Sequence, residues 1–285
     1  MTFQAQEISR TQGRPVNLAL IRYGENPEAF YAFTTAEYPI TFDGITYAPH
    51  PIDIPNQTSS GGLDKQSLEV TVPLDSPLAE LFRVVPPSYT VGITVRQGHF
   101  GEDEFPVIWI GRVLGGTRAD SRAKLLCEPS STSLRRPALR RNYMYSCPHA
   151  LYGPQCKASL SAATASFTVE ALTGNTVTLP VNWVAESRAP KYLGGLARWD
   201  GDAGDVIRAI VGLQEGRRLV LNGATNELEV GDSIRVSLGC SRNFEIIGGQ
   251  PVSDCADLHD NILNFGGQPF IPTENPIGTR LNIFY

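Results

Sequence analysis

The residues with the most chemistry to offer are cysteines. Cys147 and Cys156 are separated by eight residues, Cys240 and Cys255 by fourteen, and 83 residues lie between the two pairs. The first residues, Met1 to Glu7, lack a basic start followed by an apolar core, so no secretory signal is expected and the chain should mature in a cytoplasm. In a reducing compartment, spaced cysteines read as metal ligands or buried apolar residues before they read as crosslinks. The spacing is not the CxxC knuckle of a zinc ribbon, so it is a weak signal alone. Local context strengthens it. Cys147 precedes Pro148, Cys156 follows Pro154 and Gln155, Cys240 follows Gly239, and Cys255 falls at an expected helix start. Such segments leave backbone N–H groups free to face thiolate or sulfide. A helix start would also favour the Cys255 thiolate.

Four thiolates suit either Zn²⁺ or a [4Fe–4S] cluster. His149 and His259, two and four residues from Cys147 and Cys255, leave a mixed Cys/His zinc site open, or a role behind the ligands. Cys127 ends the apolar run AKLLC and reads as a core thiol. Arg135, Arg136, Arg140, Arg141 and Lys157 flank the first pair, either as a solvated linker or as charge balance for an anionic centre. Disulfides formed once a particle meets air are a further reading of the cysteines.

Composition bounds the remaining choices. The 285 residues are 41% hydrophobic and 19% charged, within the globular range, and the net charge of -5 argues against a nucleic-acid-coating protein. No apolar run reaches the roughly 18 residues that suggest a membrane span. HExxH, GxSxG and P-loop motifs are absent. Cys147 beside His149 invites a thiol-protease reading, but such pairs need spatial adjacency, and Pro148 follows the cysteine directly. Asp200, Asp202, Asp205 and Asp254 read as loop acids. The chain is therefore not expected to be an enzyme.

The elements that must position the cysteines are mainly strands. Residues 15–23, 30–34, 67–74, 89–96, 106–114 and 122–127 fit strands, with Leu68, Val70 and Val72 alternating against Glu69 and Thr71. Residues 40–47 fit a hairpin turning at Asp43-Gly44. Ser76 and Pro77 open a short helix as cap and first residue. Residues 128–160 break the alternation and read as an irregular connector. Strands return at 165–171, 175–179, 205–213, 217–221 and 233–238. Residues 253–265 have near-helical apolar spacing with Ser253 or Asp254 as cap, closed by Gly266-Gly267. The expected architecture is mainly β: a β-barrel or sandwich domain over 1–130, then an irregular, β-rich domain over 131–285 with short helices organised around a Cys₄ centre.

Several motifs then carry a resemblance. CPHALYGPQC (147–156), GDSIRVSLGCSRNF (231–244), CADLHDNILNFGGQPFIP (255–272) and YAFTTAEYPITFDGITYAPHPI (31–52) resemble elements of the tail-tip hub family of siphophages and gene transfer agents. Its relatives include the minor tail protein L of lambda-like phages. Gly267 departs from the pattern, where relatives commonly carry a large or basic residue. The resemblance implies a hub between the distal tail protein and the central tip or receptor-binding protein, as a homotrimer around the tail axis. It implies a virion location, with assembly in the host cytoplasm. It also implies a structural [4Fe–4S] cluster on Cys147, Cys156, Cys240 and Cys255. The rival readings are a zinc-stabilised binding module with no viral role and, less favoured, a tail-associated cell-wall hydrolase.

Overall fold

The structure, a computed structural model, describes residues 8, 13–24, 26–56, 67–84, 86–135, 143–247 and 250–271. The chain is mainly β, with short helical turns. It divides into two compact units, residues 1–137 with 200–206, and residues 138–199 with 207–285.

In the first unit, eight strands form one sheet: β1 (Pro15–Arg22), β2 (Phe30–Thr34), β3 (Ile40–Phe42), β4 (Ile45–Pro49), β5 (Leu68–Pro73), β6 (Val91–His99), β7 (Val107–Ala119) and β8 (Arg122–Pro129). Their order is β3-β4-β2-β1-β6-β7-β8-β5. Alternation decides which face is buried. Leu68, Val70 and Val72 point into a core with Ile21, Ile93, Val95, Leu125 and Cys127, while Glu69 points out to Lys124 at 2.9 Å. Burying such aliphatic side chains contributes about 1.5–3 kcal/mol each. The β3–β4 hairpin turns at Asp43 and Gly44, both at positive φ (52° and 75°), the pattern of a two-residue type I′ turn.

Two expectations for this unit change. β7 runs five residues past Leu114, because β8 pairs along its whole length and absorbs an irregularity between Val113 and Gly115. The short helix α1 (Pro77–Glu80) forms with Ser76 at its cap position, but no side-chain cap bond is made. Instead Ser76 Oγ lies 2.8 Å from His50 Nε2.

Seven strands follow, in the second unit except for residues 200–206 at the turn from β12 to β13: β9 (Thr164–Thr168), β10 (Ala171–Thr173), β11 (Thr176–Thr178), β12 (Leu196–Gly201), β13 (Gly204–Gln214), β14 (Arg218–Leu221) and β15 (Ser233–Ser237). The sheet order is β10-β11-β14-β13-β12-β15-β9. The expected single strand over 165–171 is broken at Val169-Glu170, which bond to opposite ends of the sheet. Val169 pairs with Asp232 and Gly231 beside β15, and Glu170 with Thr178 of β11. The sheet therefore curls until its edges meet at this corner. Trp199, Ile210, Leu219, Leu221 and Ile234, on its strands, are buried. Strand β12 was not legible, because Leu196–Gly201 (LARWDG) is short, carries charges at Arg198 and Asp200 and ends in glycine.

The C-terminal part is less regular. A hairpin of β16 (Glu245–Ile247) and β17 (Gln250–Val252) leads to the single turn α2 (Asp254–Asp257). The helix expected over 253–265 stops there. Asp260 adopts φ 45°, which a helix cannot continue, and a 3₁₀ turn at Ile262–Asn264 replaces the rest. Ser253 caps α2 as expected, its Oγ accepting the Ala256 N–H at 3.1 Å.

Candidate metal centre

Cys147, Cys156, Cys240 and Cys255 line one cavity. His149, Leu151, Arg242, Asn264 and Phe265 complete its wall. The open space is about 310 Å³ counting the mouth. The sequence brings the thiols together from three segments. Cys147 and Cys156 bracket a loop with Tyr152 at φ 61°, followed at once by Lys157 at φ 58°, Cys240 follows β15, and Cys255 sits in the single turn α2. Arg242 and Asp260 also take positive φ, at 60° and 45°. Left-handed non-glycine residues cost free energy, and their gathering around the cysteines marks a conformation imposed by the site's surroundings.

Backbone amides face two of the sulfurs. Gly266 N–H points at Cys147 Sγ at 3.4 Å, and Arg242 N–H at Cys240 Sγ at 3.4 Å. Arg242 O in turn accepts the Cys147 N–H at 2.9 Å, which ties the first and third cysteine segments together. Asn261 serves the other two. Its Nδ2 lies 3.8 Å from Cys156 Sγ, and its carbonyl oxygen accepts the Cys255 thiol at 3.1 Å.

Further bonds hold the segments in place. Tyr152 donates its hydroxyl to Leu238 O at 2.5 Å, and His259 Nε2 donates to Gly239 O at 2.8 Å. The Tyr152 and His259 rings meet edge to face at 5.7 Å. Gly239 is required here, because a side chain would run into the Leu193 carbonyl. Asp254 accepts from Ser241 N–H at 2.8 Å and from Lys191 Nζ at 3.1 Å. Burial alone would raise its pKa, but the bonds from Ser241 and the charge and bond of Lys191 hold it below the ordinary value.

The thiols feel one another. Burial first, then the charges of Cys240, Cys156 and Cys147, push Cys255 up to about 11. Burial also raises Cys240, opposed by the Arg242 amide and reinforced by Asp254, Cys147 and Cys156. A cation placed among them would reverse that mutual cost, since thiolates and not thiols are the ligating form.

The two histidines differ. His149 lines the cavity, with Nδ1 at 3.2 Å from Asn264 O, a carbonyl that can only accept, so this nitrogen carries the proton and Nε2 keeps its lone pair. His259 donates through Nε2 to Gly239 O and is not among the residues of the cavity wall. Gly266 packs so closely on the His149 ring that a Cβ would sit 2.5 Å from it. Gly267 has a physical reason too. A Cβ there would lie 2.6 Å from Tyr145 O and 2.7 Å from the Phe265 ring, so the large residue of the family pattern has no room. Cys127 stands apart, fully buried in the first unit's core. Arg136, Arg140 and Arg141 lie outside the described residues, as does the side chain of Arg135. Asn261 and Arg242 were not singled out in the sequence, and Gly266 was read only as a helix stop. The one available signal was Asn261 six residues after Cys255, in a stretch read as helix.

Among the described residues, no three His, Cys, Asp or Glu side chains are arranged to hold a metal ion as they stand. A tetrahedral Zn²⁺ draws its sulfurs to about 3.8 Å from one another, given Zn–S bonds of about 2.3 Å. Here each sulfur has its own polar partner on the cavity wall. The donor set fits a thiolate-bound metal centre, Zn²⁺ or an iron–sulfur cluster alike: four thiols, no carboxylate in the wall, and N–H groups aimed at sulfur.

With this geometry established, known proteins offer two likenesses. A family model described as "Phage conserved hypothetical protein BR0599" matches residues 191–275, under a third of the chain, including Cys240, Cys255 and Asn261. A chain of the structure titled "Virion of native gene transfer agent (GTA) particle" shares the fold. The TM-score is 0.74 at 20% identity, over 96% of this chain and 93% of that one. No curated protein matches. The fold is thus one that a chain of a gene transfer agent particle also has, and residues 191–275 are similar to a family described from phages.

Proposed function

We propose that this chain is a structural, non-enzymatic component of a phage-type virion: a tail-tip hub whose C-terminal domain is clamped by a [4Fe–4S] cluster on Cys147, Cys156, Cys240 and Cys255. The observation that carries the reading is the convergence of four cysteines, from stretches 83 residues apart, on one cavity with N–H donors facing the sulfurs. The likeness in fold to a gene transfer agent virion chain supports the particle context. In this reading residues 1–130 form the hub domain and 131–285 the cluster domain. A homotrimer surrounds the tail axis, between the distal tail protein and the receptor-binding central tip, after assembly in the host cytoplasm.

Cys147, Cys156, Cys240 and Cys255 would hold the cluster, which when bound would supply a cross-link among the loop 147–156, the segment after β15 and α2. The chain's own residues do the rest: Gly266, Arg242 and Asn261 orient sulfurs, Tyr152 and His259 fix the strand end at 238–239, and Asp254 pins Ser241 and Lys191.

Anaerobic purification tests the reading. The expected product is brown, with iron and acid-labile sulfide in equal amounts. A colourless protein carrying one zinc per chain would favour a zinc-stabilised module and defeat the cluster. Cys156→Ser and Cys240→Ser are each expected to block tail completion, and normal infectious particles from both would sink the structural role.

A further inference from the structure

The four sulfurs are not served alike. Gly266 and Arg242 reach Cys147 and Cys240 through main-chain N–H groups, which an ordinary side-chain substitution does not remove. Among the described residues, the donor facing Cys156 Sγ is a side chain, Asn261 Nδ2 at 3.8 Å. The same nitrogen donates to Cys156 O at 2.6 Å. A carbonyl only accepts, so the carboxamide must present its nitrogen to Cys156 and its oxygen to Asn264, whose Nδ2 donates to it at 2.6 Å. Asn261 is 7% exposed, and its main chain is bound to Cys255 twice. Its N–H donates to Cys255 O at 2.8 Å, and its carbonyl accepts the Cys255 thiol at 3.1 Å. One residue therefore touches two cysteines from opposite ends of the cysteine-bearing sequence.

We propose that Asn261 is the positioning residue of the thiol centre, aiming Cys156 into the cavity and supplying the N–H that its sulfur accepts when ligating. The inference rests on the reading of the four cysteines as ligands. A hydrogen bond to a ligating thiolate stabilises its charge, which strengthens metal retention and favours the more reduced, more negative state of a cluster. Asn264 acts one step further out, by holding the Asn261 carboxamide in the required orientation.

The test uses the full chain, reconstituted anaerobically with ferrous iron and sulfide and, separately, titrated with Co²⁺ as a probe of thiolate ligation. Asn261→Ala should lose metal to a competing chelator about 10–100-fold more readily than wild type, the usual cost of removing an outer partner of a metal ligand. Its loaded cluster should have a lower reduction potential. Asn261→Asp should retain metal less well than Asn261→Ala, although Asp nearly copies the shape of Asn and still accepts from Asn264. A role confined to packing ranks Asp above Ala and leaves the potential unmoved, and that result overturns the proposal. Asn264→Ala, which removes the donor that orients the Asn261 carboxamide, should shift retention and potential in the same direction by less. It decides the matter if both Asn261 variants fail to fold, and an unmoved potential there also counts against the proposal. A wild-type chain that takes up neither Co²⁺ nor cluster defeats the ligand reading and this one together. A wild-type chain that loads, with variants loading equally well, removes only the role of Asn261.

Discussion

Cys127 and the four cavity cysteines are the same residue type in opposite surroundings. Cys127 lies on β8 among Leu68, Val113 and Leu125, and burial alone pushes its thiol up to about 12. Its weak hydrogen bond goes to its own strand neighbour, Leu125 O, at 3.7 Å. It behaves as a small apolar side chain in a sheet that alternation already stabilises. The cavity cysteines sit on turns with left-handed residues nearby, facing amides and one another. The first unit's thiol is part of a packed apolar interior, whereas the cavity thiols face open space. On the proposed reading, the second unit is the one held by a cross-link.

The largest expected effect separates the two kinds of thiol directly. Cys240→Ala should abolish metal loading and open the segments 147–156, 238–242 and 253–266, while Cys127→Ala should leave loading intact. A tight structural site contributes on the order of 10 kcal/mol of folding free energy. Hydrogen exchange would show the difference by region, with β1, β6 and β8 protected in both variants. Equal loss of protection in the two units on metal removal would break the comparison.

Packing gives the next effect. Gly266→Ala places a methyl group 2.5 Å from the His149 ring, beside the amide that faces Cys147. Overpacking of this kind costs about 1–3 kcal/mol. Gly115→Ala in β7 meets no atom within 4 Å and should be close to neutral. Thermal unfolding of both variants, with metal retention measured alongside, tests whether the cavity wall is the less forgiving region.

How far the sequence revealed these regions follows the same contrast. Alternation at Leu68, Val70 and Val72, and the turn at Asp43-Gly44, placed strands and a hairpin because a sheet's side-chain period is local. The break at Val169-Glu170 was hidden, because it depends on partners near 178 and 232. The cavity was legible only as a list of cysteines in irregular contexts. Asn261, Arg242 and Gly266 contribute through hydrogen bonds set by left-handed backbone at Asp260 and Arg242, and no residue pattern announces that geometry. The short helix at 253 was visible through Ser253, but its early end at Asp260 was not.

Alkaline pH should reach the first unit through Cys127. Its thiol titrates at about 12 in the folded protein against an ordinary value of 9.0. Between those limits the unfolded chain has released the proton and the folded chain retains it. The unfolded state then binds fewer protons, and stability falls as pH rises, by about 1.4 kcal/mol per unit. Below pH 9 the contribution is fully present. Denaturant unfolding between pH 8 and pH 11 should show the slope in wild type and a reduced slope in Cys127→Ala. An identical slope in the variant would assign the alkaline loss to other groups.

The smallest effect distinguishes two serines that both precede one-turn helices. Ser253 caps α2 through the Ala256 N–H at 3.1 Å, and the turn it starts carries Cys255. Ser76 holds the same place before α1, yet its hydroxyl is committed to His50 at 2.8 Å. Ser253→Ala removes a cap, worth about 1 kcal/mol. Ser76→Ala removes a buried hydrogen bond of about the same worth. The two variants should therefore lose similar stability, and a melting curve alone would not tell them apart. Metal retention should. Loosening the first turn of α2 frees the backbone that presents Cys255, so Ser253→Ala should release metal to a chelator faster than wild type. Ser76→Ala should release it at the wild-type rate. Equal rates in both variants would mean that Cys255 is held by Asn261 and the 3₁₀ turn, and that the helix start contributes nothing to the centre.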